Sequence, residues 1–90
     1  MPEDTFEDIM NKICVSAHRG DAPSQLIYGQ ALKDGSCGHE INDFNTNAGN
    51  QWIDSALRAG KENPKEFDTE CQALRREIIK AKEAGSASVP

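Results

Sequence analysis

Ninety residues with 15 acidic and 10 basic side chains carry a net charge of −5, which fits one small domain. An apolar fraction of 37% is too high and too well patterned for a disordered chain. Yet a domain this size buries only about 60% of the surface its unfolded chain exposes, so one modest core is expected, with no cavity for a large cofactor.

Phe6, Ile9, Met10, Ile13, Cys14 and Ala17 recur at three- and four-residue steps, which places them on one helical face. Asp4 or Thr5 caps that helix, and Glu7 and Asp8 suit the positive end of its dipole. The spacing predicts a first helix from Asp4 to Arg19, stopped by Gly20. Pro23 and Ser24 open a second, from Ser24 to Lys33, because proline is tolerated in a first turn. Leu26, Ile27, Ala31 and Leu32 mark its apolar side, and Asp34-Gly35 ends it.

Residues 34–50 are rich in Gly, Asn, Asp and Ser, which favour turns, and read as a long irregular loop. Ile41 and Phe44 are its apolar anchors. Trp52, Ile53, Ala56 and Leu57 mark a third helix, capped by Asn47 or Asn50 and ended by Gly60. Asn63-Pro64 then pairs a capping residue with proline at the first helical position. Phe67, Cys71, Leu74, Ile78 and Ala81 follow at steps of four and three, so the fourth helix runs to about Ala84. Gly85 closes it. The expected fold is all-α, a small four-helix bundle or orthogonal array, with residues 1–85 as the domain and 86–90 as a tail.

No motif here specifies a chemistry by itself. Asp43, Asn45, Asn47 and Asp54 occupy the oxygen-ligand positions of a segment that resembles a degenerate EF-hand loop. Ala48 stands where that loop needs glycine, and an Asx-rich capping loop is the favoured reading. Cys14, His18, Cys37 and His39 supply two sulfurs and two imidazoles, a donor set that suits tetrahedral zinc. Cys14 also lies on the core face, however, and no metal or other cofactor is assigned. Cys37 with His39 lacks the orienting third group that nucleophilic catalysis needs, so no enzymatic activity is expected.

The charge is unevenly placed. Residues 1–45 hold eight acids and three bases, and residues 46–90 hold seven of each. The acidic half repels nucleic acid and attracts basic protein surfaces. The sequence therefore predicts a protein-binding module of the kind that serves as inhibitor, immunity factor, adaptor or small viral accessory protein. Its partner would have a basic surface and would meet Glu3, Asp4, Glu7, Asp8, Tyr28, Asp34, Glu40 and Asp43. Tyr28 is expected to face outward and Trp52 inward. The alternative is a nucleic-acid-binding regulator using Arg75, Arg76, Lys80 and Lys82 of the last helix, although interleaved acids make that face charge-balanced. The three cysteines do not close a disulfide framework. Met-Pro-Glu-Asp has no signal-peptide character, and no apolar run reaches membrane-spanning length. The expected setting is a reducing cytoplasm.

Overall fold

The computed structural model describes residues 5–36 and 38–87, with side chains described as far as Glu83. Among these residues the fold is all-α. Four helices follow in order: α1 (Phe6–His18), α2 (Ala22–Asp34), α3 (Asp43–Gly60) and α4 (Pro64–Ala87).

Side-chain caps fix where each helix starts. Thr5 and Asp8 close a reciprocal box on α1, with Asp8 N donating to Thr5 Oγ1 at 3.1 Å and Thr5 N donating to Asp8 Oδ2 at 3.2 Å. Asp21 caps α2 by accepting from Ser24 N at 3.1 Å and from Ser24 Oγ at 2.5 Å. Asn63 accepts from Glu66 N and donates to the Glu66 carboxylate at 2.7 Å. Each cap satisfies amides that the first turn leaves without helical partners. Gly35 ends α2 with φ +78°, a left-handed geometry that favours glycine. Gly85 does not stop α4, which continues to Ala87. Of the expected tail, residues 88–90 lie outside the described residues.

The main departure from the sequence reading is the start of α3. It begins at Asp43, capped by Asn42, whose side chain accepts from Asn45 N at 2.8 Å. Asn45 Nδ2 also donates to the Glu40 carbonyl at 2.7 Å. The expected long loop thus shrinks to positions 35–42, and neither Asn47 nor Asn50 is a cap. Asp43, Asn45, Asn47 and Asp54 are all helical, so the EF-hand-like geometry is not formed. Their weak helix propensity is overridden by tertiary packing.

That packing is a close crossing of α2 and α3. A Cβ on Gly29 would lie 2.6 Å from the Gly49 carbonyl oxygen, and a Cβ on Gly49 would lie 2.5 Å from that of Gly29. Two backbones this close tolerate only glycine at the contact.

α2 is the hub. Met10, Ile13, Ile27 and Ala31 form one core cluster, with Leu74 and Ile78 packed against it. Leu26, Ala56 and Cys71 form the second, with Ile53 and Phe67. Both clusters include α2 residues, and α2 buries Pro23, Ser24, Leu26, Ile27, Gly29, Ala31 and Leu32. The sequence makes α4 the scaffold, because α4 has the clearest stripe. A helix covered on several sides has no such stripe to read. The chain measures 43 × 32 × 17 Å. Since packed helix axes lie roughly 8–10 Å apart and Cα atoms about 2.3 Å from each axis, the short dimension corresponds to two layers of helices. The α4 seam is confirmed: Cys71 and Ala81 are buried, and Phe67, Leu74 and Ile78 are half-buried. Burial pushes the Cys71 thiol up, with Arg75 opposing it weakly, so this cysteine behaves as a small core hydrophobe.

Candidate functional site

Ile41 and Phe44 do not anchor a loop to the core. Phe44 is 80% exposed and Ile41 is 68% exposed. Their position follows from the α3 cap. Asn42 starts the helix, and its first residues, Asp43 and Phe44, are exposed. The Asn45 contact to Glu40 fixes the approach. Ile41 rests on Gly35, where an added Cβ would meet its Cγ1 at 3.2 Å. The result is an apolar pair flanked by the exposed acids Glu40 and Asp43. The sequence shows both residues plainly but gives no sign of their exposure.

A groove of about 340 Å³ lies between α1 and Ser36, Gly38 and His39. Phe6, Met10 and Cys14 of α1 line it with Tyr28 and His39, and among the described residues Glu7 is its one acidic or basic lining residue apart from His39. The walls are mostly apolar.

Behind the groove stands an aromatic cluster. The rings of His18 and Trp52 meet edge-on at 4.9 Å between centroids and Tyr28 and Trp52 at 5.3 Å, while His18 and Tyr28 are tilted at 5.6 Å. The His39 ring stands 6.5 Å from Tyr28. Edge-to-face contacts of this kind add to packing beyond the area they bury. Tyr28 is thus half-buried within a cluster and not turned outward, because Gly29 brings α3 and its Trp52 close beside it. Trp52 is also half-buried and completes this cluster instead of entering the core.

The other predicted contact residues fall into three groups. Glu3 and Asp4 lie outside the described residues. Asp8 is committed to the α1 cap. Glu7, Glu40 and Asp43 are exposed, as is Asp34, which holds the turn after α2 by accepting from Ser36 N at 2.8 Å and from the Ser36 hydroxyl.

Of the residues considered for zinc, Cys14 and His18 do come together, with Sγ 3.7 Å from Nδ1. The same Nδ1 lies 2.8 Å from the Cys14 carbonyl. A carbonyl only accepts, so Nδ1 carries the proton and has no lone pair for a metal. Cys37 lies outside the described residues. Among the described residues, no group of three or more His, Cys, Asp and Glu is placed to hold a metal. On α4, Lys82 Nζ sits 5.1 Å above the Phe6 ring, and Arg75 Nη2 points to Gln30 Oε1 at 3.5 Å.

A second acidic region lies where α4 begins. A cleft there is lined by Asp21, Glu62, Glu66, Glu70 and Phe67, among others. Partial loss of water contact holds the Glu70 carboxyl above its ordinary range, and the nearby charges of Glu66 and Asp21 add to this. The folded chain therefore binds this proton more tightly than the unfolded chain. The favourable contribution is complete below the ordinary carboxylate range and is lost as pH rises through the raised value. Glu70→Gln should raise Tm at about pH 7 and leave it unchanged near pH 4. Identical melting curves at both values would show that solvent screens the repulsion.

Among the described residues no helix is long and apolar enough to cross a membrane. The chain matches no protein-family profile, no curated protein and no solved structure.

Proposed function

We propose that this chain is a small acidic helical module that works by binding another protein with a basic surface, in the manner of an inhibitor, immunity factor or adaptor. The observation that carries the reading is the exposure of Phe44, at 80%, beside Ile41 and between acids. An exposed large aromatic side chain at a helix start fits the aromatic enrichment of interface cores. Glu40 and Asp43 supply a charged rim, which speeds encounter with a basic partner and sets orientation more than it sets affinity. Asp34 and Glu7 extend the negative field along the same half of the chain.

The test is capture of the partner from host lysate on immobilised protein, followed by measured binding of the captured species. Phe44→Ala removes roughly 2 kcal/mol of apolar burial in the complex, so affinity should fall about thirtyfold. The isolated variant should melt close to the parent, because Phe44 contributes little to the core. Glu40→Lys with Asp43→Lys should chiefly slow association, and added salt should do the same. A captured partner that is indifferent to salt and to all three substitutions would refute this reading.

A further inference from the structure

We infer that this chain binds a second copy of itself, with Ile41 and Phe44 of one copy seated on Ile79 of the other. The inference rests on the proposed role of Ile41 and Phe44 as a binding surface and names an occupant for it. Charge selects that occupant. Ile79, on α4, is 53% exposed, and on a helix its surface neighbours stand three and four positions away. Those positions hold Arg75, Arg76, Lys82 and Glu83, three cations against one acid, and all four are exposed. The opposite rim surrounds Ile41 and Phe44, which lie between the exposed acids Glu40 and Asp43. An apolar patch with an acidic rim complements one with a mostly basic rim, and such matching steers encounter and fixes register.

The cations of the α4 patch keep their charge in the fold. Lys82 lies over the Phe6 ring and Arg75 reaches the side-chain oxygen of Gln30, and neither partner carries a charge of its own. Val15 is the competing seat, half exposed between Lys12 and Arg19, but its rim has two cations where that of Ile79 has three. Because the two patches are unlike, the contact is heterologous: each copy offers one of each kind. The net charge of −5 opposes two copies at long range. Patches of one or two apolar side chains also fall well short of the roughly 800 Å² per partner in a stable complex. The association is therefore weak and forms at high protein concentration, where it covers Phe44 until another partner displaces the second copy.

The test is sedimentation equilibrium on the full-length protein. The weight-average mass should rise above that of one chain as concentration increases. Glu40→Lys with Asp43→Lys should weaken the association about tenfold, the size of two exposed ion pairs. Arg76→Glu with Ile79→Glu should weaken it at least as much, and circular dichroism should show both variants helical, because all four positions are exposed. Each variant alone carries two patches of like sign. Mixed in equal amounts, they bring the intact acidic patch of one to the intact basic patch of the other, and association should return. A single-chain mass at every concentration, a loss that mixing does not restore, or loss on Val15→Glu with none in the Ile79 variant would each overturn the inference. The proposed function fails separately: a chain that stays monomeric yet captures a salt-sensitive partner through Phe44 leaves that reading standing.

Discussion

Phe67→Asp should abolish the cooperative thermal transition of this domain. Phe67 packs against Leu26, Ala56 and Cys71, and its ring fills the space over Gly60, where an added Cβ would lie 2.8 Å from the nearest ring carbon. It therefore joins α2, the end of α3 and the start of α4. Removing a buried phenylalanine side chain costs about 3–5 kcal/mol, and partial exposure lowers that figure here. The new carboxylate raises it again, because it enters an apolar contact beside Asp21, Glu66 and Glu70. A chain of this length holds roughly 5–13 kcal/mol in total, and so thin a domain belongs at the low end. Circular dichroism should show low helicity and a melt without a sharp midpoint. Phe67→Leu should keep a cooperative melt at lower Tm. A sharp transition in Phe67→Asp would mean that α4 is not joined to the core through this ring.

Gly29→Ala should destabilise the fold even though alanine is the better helix former. In an exposed helix the exchange gains about 1 kcal/mol. Here the new methyl would meet the Gly49 carbonyl oxygen at 2.6 Å and Ile53 Cγ1 at 2.9 Å. The first neighbour is backbone, so no rotamer change relieves it and α3 must move away. Overpacking of this kind typically costs about 1–3 kcal/mol, and a rigid neighbour puts the value at the upper end. A net loss of about 2 kcal/mol lowers Tm by roughly 8–16 °C in a domain this small. Gly49→Ala should behave alike, since its Cβ would meet the Gly29 carbonyl oxygen and Lys33 Cγ. The double variant should lose less than the sum, because the first methyl has already parted the helices. Unchanged or raised Tm in either single variant would show that the crossing is looser than described.

These two positions also mark what could and could not be read from the amino-acid order. Phe67 belongs to a periodic seam with a proline-marked start, so α4 and its buried residues were legible from spacing alone. The same holds for α1, whose cap and stripe agree. Gly29 reads only as a weak point in a short helix. Its role depends on Gly49, 20 positions away, and no local pattern links the two. That missing link also hid the first turns of α3, where Asn, Asp and Gly favour a loop until packing against α2 is counted. The central place of α2 was hidden for a related reason. Residues buried on several sides of a helix leave no polar face to set them off. The acids of the candidate surface were legible as a charge imbalance. Its apolar centre was not, since composition ranks Ile41 and Phe44 as core residues.

The 17 Å thickness of the domain divides the labour of the chain in an unusual way. Every helix except α2 keeps one whole side in water, so the positions that the fold must defend are few. They gather on α2 and on the side chains that touch it. Apart from the helix caps, the rest of the sequence is a rind, free to vary in charge and shape without disturbing what lies beneath. A fold with so little interior can change what it recognises while keeping the same way of holding itself together.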